Sequence, residues 1–109
     1  MLVSKGGMKL WLKPLYPVAV KAGSQFETED GFFGEFRTLK REDRVSRIRL
    51  TWQDPNWEKK STVQITFVNR PNGKSILVFD HSGIKNTKIQ AQMRMRWKEA
   101  ALNLYESLS

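Results

Sequence analysis

Apolar residues in this chain follow two repeats, first the two-residue alternation of β-strands and then the three- and four-residue spacing of a helix. The alternation is clearest over 47–53, where one face holds Ile48, Leu50 and Trp52. It recurs over 62–69, where the inward positions are Val63, Ile65 and Phe67. Shorter apolar runs predict a strand ending before Gly23 and another around Phe32 and Phe36. The pattern predicts strands over most of the chain before residue 83.

The segment 75–81 is apolar on both faces. Ile76 and Val78 point one way, and Leu77 and Phe79 point the other. This pattern predicts a central strand of the sheet. The preceding segment 70–74 reads as a hairpin connection, because Asn72-Gly73 supplies the positive φ angles of a tight turn.

A long helix is predicted at the end of the chain. Thr87 followed by Gln90 is a capping-box pattern, which marks a helix start. The apolar stripe beyond it predicts the buried face and consists of Ile89, Met93, Trp97, Ala100, Ala101, Leu104 and Leu108.

Length and composition limit the classes of protein that fit. The 109 residues contain no internal repeat or linker, which predicts one domain over 1–109. The absence of cysteine excludes disulfides, thiolate metal sites and thiol nucleophiles. The sequence shows no secretory signal and no apolar run long enough to span a bilayer. We therefore expect a cytoplasmic protein.

The formal net charge is +8, and a basic surface attracts polyanions. The basic residues fall in two groups, Arg41, Arg44, Arg47 and Arg49 in one and Lys88, Arg94, Arg96 and Lys98 in the other. No helix-turn-helix, zinc-finger or RNA-recognition signature organises them. A solvated basic surface is favoured, and nucleic acid is not the expected partner.

The sequence offers little for catalysis. His81 is the only histidine, and its expected role is that of a turn residue between sheet and helix. Ser82 and Asp80 flank it, but adjacent strand residues point to opposite faces and cannot converge on His81. We expect no enzyme activity, no catalytic residues, no metal and no cofactor.

A series of short motifs along the chain resembles a known family. In order they are Trp11-Leu12, Gly23, Gly34-Glu35-Phe36, Leu50-Thr51-Trp52, the Gly73 hairpin, His81-Ser82-Gly83 and the helix containing Trp97. Together they resemble the START-like (SRPBCC) superfamily, in the branch of homologues of the heat-shock protein 90 ATPase activator. The resemblance implies an α+β helix-grip fold, in which a curved antiparallel β-sheet packs on a long C-terminal α-helix.

The chain also departs from the family pattern. Arg96 stands where the family helix often has Gly, and Ala101 stands where it often has Leu. Family members usually place a strand and a helix before the Trp-Leu pair, whereas only ten residues precede Trp11 here, which we interpret as an N-terminally shortened domain. Either the domain is trimmed or a second subunit supplies the absent parts. Because the absent elements usually cover one edge of the sheet, and an exposed edge favours pairing with another chain, we expect a homodimer.

The resemblance implies that a small hydrophobic molecule binds between the sheet and the C-terminal helix. The expected ligand-binding residues are Trp52, Phe67, Phe79, Met93, Trp97, Ala101 and Leu104. The competing interpretation is that these side chains form a fully packed core. Trp57 lies in a polar loop, where it would cover the pocket mouth or contact a partner. Two alternative functions are a chaperone-associated protein-interaction module and a basic module that binds nucleic acid or an anionic surface.

Overall fold

Five antiparallel strands in sequential order form one curved sheet, and a long helix packs on its inner face. The computed structural model describes residues 5–19, 21–70 and 75–108. The elements are α1 Lys5–Trp11, β1 Gln25–Glu27, β2 Phe33–Glu42, β3 Val45–Trp52, β4 Ser61–Asn69, β5 Ser75–Ser82 and α2 Thr87–Leu108. The predicted α+β helix-grip fold is confirmed.

The central strands form as the alternation predicts. Ile48 pairs with Ile65, and Leu50 pairs with Val63, so that large apolar side chains lie opposite each other on the inner face. The outer face of the same strands has Arg47 and other polar residues. Because one face is buried, a slip of one residue would expose the whole apolar set, which fixes the register.

The core lies between the inner face of the sheet, α1 and α2. Its buried residues are Met8, Trp11, Leu12, Phe26, Phe36, Ile48, Leu50, Trp52, Val63, Ile65, Met93, Trp97, Ala100 and Leu104. Helix α1 and strand β1 were not predicted, since each is too short to show a clear apolar period.

Strand β5 lies at an edge of the sheet, so the prediction of a central strand is wrong. Ile76 and Val78, which suggested burial on the outer face, are 37% and 48% exposed. The predicted Asn72-Gly73 turn lies outside the described residues.

Helix α2 begins at Thr87, as predicted, but its N-cap is the preceding residue. The side-chain oxygen of Asn86 accepts hydrogen bonds from the backbone N–H groups of Lys88 (2.9 Å) and Ile89 (3.1 Å). The Gln90 side chain donates to the carbonyl oxygen of Ile84. A threonine cap is thus replaced by a stronger asparagine cap one position earlier.

Gly34 of β2 lies against Phe26 of β1 and Thr51 of β3. A Cβ atom at this position would lie 1.9 Å from the backbone oxygen of Thr51 and 2.8 Å from the ring of Phe26. Only glycine fits this contact, which explains the Gly before Glu35 in the sequence pattern.

Candidate binding groove between strand β5 and helix α2

An open groove of about 810 Å³ runs between β5 and α2. Its apolar lining comes from Leu77, Phe79, Ile84, Met93, Trp97 and Ala101. Its polar lining includes Asp80, His81, Gln90, Arg94 and Lys98. The mixture of an apolar wall and a polar rim suits a ligand with an apolar body.

Helix α2 presents two parallel rows of side chains to the groove. Both rows repeat every four residues, which places their members on adjoining lines along the helix. The row nearer the sheet is Met93, Trp97 and Ala101, and the row nearer solvent is Gln90, Arg94 and Lys98.

Trp97 belongs to both the groove wall and the core. Its ring stacks on Phe79 at a centroid distance of 5.2 Å and an interplanar angle of 14°. It also meets Trp52 edge-on at 4.9 Å. Such aromatic pairs add to the stabilisation from buried area, so the wall is rigidly supported.

His81 is fixed in one neutral tautomer by its neighbours. The indole N–H of Trp97 donates to Nδ1 of His81 at 3.0 Å, so the proton must lie on Nε2. Nε2 therefore donates to Oγ of Ser61 at 2.7 Å, and Ser61 donates to the carbonyl oxygen of Trp52 at 2.6 Å. Burial, together with the positive charge of Arg96, lowers the pKa of His81 to about 4.

The Ser61–His81 contact has the distance of a catalytic pair but not its chemistry. A histidine that activates a serine accepts the hydroxyl proton, whereas His81 donates to Ser61. Ser61 is also 2% exposed, so a substrate cannot reach it. Among the described residues, no group of three or more histidine, aspartate or glutamate side chains could hold a metal ion.

Arg96 occupies the space between α2 and the aromatic residues of the sheet. Its guanidinium carbon lies 4.6 Å from the ring centroid of Trp52 and 4.9 Å from that of Trp97. Its nitrogens donate to the backbone oxygens of Trp11 (3.0 Å) and Leu12 (3.2 Å) at the end of α1. Arg96 thus fills this interior space and joins α1 to α2.

Asp30 completes the environment of Arg96. It accepts hydrogen bonds of 2.7 and 3.1 Å from the guanidinium, and a further one of 2.7 Å from the Thr28 hydroxyl. Partial burial raises the pKa of Asp30, but the bonds from Arg96 and Thr28 outweigh this effect and leave the pKa below its usual value.

The structure divides the seven expected ligand residues between groove and core. Four line the groove, and they are Phe79, Met93, Trp97 and Ala101. Trp52 and Leu104 are fully buried in the core, and Phe67 is half-buried against it. Trp57 is half-buried, with its ring 5.8 Å from that of Phe32.

Sequence reasoning did not identify Leu77, Ile84 or the polar row of α2 as part of a site. The four-residue spacing of Gln90, Arg94 and Lys98 was a usable signal, because it places them beside the apolar row.

The basic residues lie on separate surfaces. Arg47 and Arg49 are exposed on the outer face of β3, where Arg49 donates to Gln64 at 2.8 Å. Arg94 and Lys98 line the groove, and Arg96 lies inside the protein. The two groups in the sequence therefore do not form a single anion site.

Comparison with known proteins gives one family match. The family model described as Activator of Hsp90 ATPase homolog 1-like protein matches residues 1–109. No curated protein and no solved structure matches the chain. Neither of the two described helices has the length and apolar character needed to cross a membrane.

Proposed function

The chain belongs to the family of Activator of Hsp90 ATPase homolog 1-like proteins, a branch of the START-like superfamily, and on this premise we propose a function for it. It is a non-catalytic binding module that holds a small hydrophobic molecule in the groove between β5 and α2.

One observation supports this proposal most directly. Four side chains expected to bind a ligand, Phe79, Met93, Trp97 and Ala101, line one groove. Its volume of about 810 Å³ is within the usual range for small-molecule sites. The flexible side chain of Met93 can adapt to ligands of differing shape.

The ligand is expected at the edge of the domain and not deep between sheet and helix. Arg96, which is 11% exposed, packs against Trp52 and Trp97 in the interior. A ligand there would have to displace a guanidinium with four hydrogen bonds to protein oxygens. The groove needs no such displacement.

The test is titration with an apolar fluorescent probe, together with native mass spectrometry of the purified protein. The wild type should bind the probe, and Phe79→Ala should weaken binding about tenfold, since truncating an aromatic contact removes one or more kcal/mol. Val78→Ala is the matched control, because Val78 is the next residue and lies on the outer face. The proposal fails if the wild type binds no probe, or if both variants lose the same affinity.

The second candidate is a protein-interaction module. The specific observation that favours it is the open edge of β5, which lies along the groove. Such an edge offers backbone hydrogen-bonding groups that a small apolar molecule does not use.

A further inference from the structure

We propose that the groove also accepts an extended peptide segment, which pairs with β5 as an added strand and contributes apolar and acidic side chains. This inference rests on the proposed function to the extent that the same apolar wall must be accessible. It adds a different kind of partner and a backbone contact that the small-molecule proposal does not need.

The orientation of the β5 backbone is the first reason to expect an added strand. In an antiparallel ladder, alternate residues direct both their N–H and C=O groups to the same side of the strand. The N–H of Leu77 is directed away from β4, because it donates to the hydroxyl of Tyr105 at 3.0 Å. The N–H and C=O groups of Phe79, and the N–H of His81, therefore also point away from β4, towards the groove.

These groups have no strand beside them in the described part of the chain, where β5 pairs only with β4. Exposed strand edges of this kind bind extended peptides in many recognition modules. Tyr105 covers the edge at Leu77, and its hydroxyl lies 3.5 Å from the carbonyl oxygen of Ser75. An added strand would therefore pair with the part of β5 from the Leu77 carbonyl to His81.

The apolar side-chain pattern of β5 is the second reason to expect an added strand. Its sequence is that of a central strand, although it lies at an edge with Ile76 and Val78 exposed. Local pattern and position usually agree in a folded protein, so such a conflict often marks a functional surface. An added strand would cover the flank of Val78 on one face and fill the space beside Phe79 on the other.

The basic side chains that line the groove favour a peptide with acidic residues. Arg94 and Lys98 line the groove on the helix side, against Asp80 on the strand side, and the whole chain has a net charge of +8. A second copy of this chain would bring its own Arg94 and Lys98 to the same place, which opposes self-pairing by like-charge repulsion. A segment with acidic side chains is complementary, and its apolar residues would contact the row formed by Met93, Trp97 and Ala101.

The experiment uses capped peptides of about seven residues, a usual strand length, in which valine and leucine alternate with threonine and two positions are aspartate. The expected result is saturable binding, with the amide hydrogens of Phe79 and His81 becoming protected from exchange. One control peptide has lysine in place of aspartate. A second control is a pair of peptides that are N-methylated at alternate amides, one at the odd positions and the other at the even positions. In one of the two, the methyl groups remove the N–H donors that would face β5.

Substitutions in the protein then distinguish pairing of the peptide backbone with β5 from contact between side chains alone. Tyr105→Phe frees the N–H of Leu77 and should strengthen peptide binding about threefold, as one more neutral hydrogen bond allows. Arg94→Gln and Lys98→Gln should each weaken it about threefold to fivefold. Arg47→Gln, on the outer face, should leave it unchanged.

Each other outcome has a distinct meaning. Probe binding without peptide binding overturns this inference and leaves the small-molecule proposal standing, whereas failure of both overturns the two together. Equal binding of both N-methylated versions would show contact without strand pairing and would also overturn it. Sedimentation equilibrium that shows a dimer, with Phe79 already protected from exchange, would assign the edge to a second copy instead.

Discussion

Arg96 and Asp30, which are 66 positions apart in the chain, are joined by two hydrogen bonds of 2.7 and 3.1 Å. The guanidinium is nearly buried, and its Nη1 and Nη2 also donate to the backbone carbonyl oxygens of Trp11 and Leu12 at the end of α1. A planar group with five donors can satisfy such a divergent set of oxygens, whereas an ammonium group cannot.

Replacing Arg96 with methionine should therefore destabilise the protein by about 2–4 kcal/mol, because two carbonyl oxygens and the Asp30 carboxylate lose the four hydrogen bonds that the guanidinium donates. Arg96→Lys should recover only part of this loss. Urea denaturation measures both values. Arg94→Met is the control, since Arg94 is exposed on the same helix and should cost less than about 0.5 kcal/mol. Equal losses at the two positions would contradict the role of Arg96.

The burial of His81 beside the positive charge of Arg96 predicts a loss of stability in mild acid. The pKa of His81 falls from 6.5 to about 4 on folding, so between these values the unfolded chain binds a proton that the folded chain does not. The contribution of His81 to the free energy of unfolding is fully present above pH 6.5 and is lost as the pH falls towards 4. Urea midpoints measured across this range should decline for the wild type.

His81→Gln provides the comparison for that experiment. It should be less stable than the wild type at neutral pH, because the bond from Trp97 is altered, but it lacks the titrating group. Its stability should therefore be flatter over the same interval. Parallel curves for the two proteins would rule out His81 as the source of the acid sensitivity.

Trp97→Ala should destabilise the protein by about 3–5 kcal/mol. The substitution removes a ring that is 4% exposed and stacks on Phe79, and it leaves Nδ1 of His81 without its donor. Met95→Ala is the matched control on the same helix, because Met95 is 73% exposed. A denaturant melt in which both variants shift by less than about 0.5 kcal/mol would show that Trp97 is not a core residue.

Neighbouring alanines on α2 allow a test of the groove. Ala101 lines the groove, so leucine there should fit without overpacking, raise stability by up to about 1 kcal/mol and weaken uptake of an apolar probe. Ala100 is 3% exposed in the core, and Ala100→Leu should cost about 1–3 kcal/mol. Melts and probe titrations of the pair distinguish these cases. Destabilisation by Ala101→Leu, together with a wild type that binds no probe, would favour the interaction module.

The sequence predicts the parts of this fold that have a clear period. The alternation through Ile48 and Leu50 locates β3, and the spacing of Met93, Trp97 and Leu104 locates the buried face of α2. Each of these patterns extends over at least two turns or four strand residues, so a local period is visible.

The position of β5 could not be predicted in this way. Alternation reports which faces are apolar, but not whether a neighbouring strand is present to bury them, as the exposure of Val78 shows. The interior position of Arg96 could not be predicted either, because a charged residue on a helix is ordinarily exposed. Its partners lie 66 to 85 positions away, so the sequence around Arg96 contains no pattern that indicates these contacts.

The order of the strands has a consequence for the time course of folding. Each strand pairs with its neighbour in sequence, so the sheet can grow through short-range hairpins with little loop-closure cost. The contacts of Arg96 with Trp11 and Asp30 close long loops, with 85 and 66 positions between the partners, and should form after the rate-limiting step. In a chevron experiment, Arg96→Met should therefore speed unfolding and leave the refolding limb almost unchanged, which would make this arginine a determinant of how long the native state lasts.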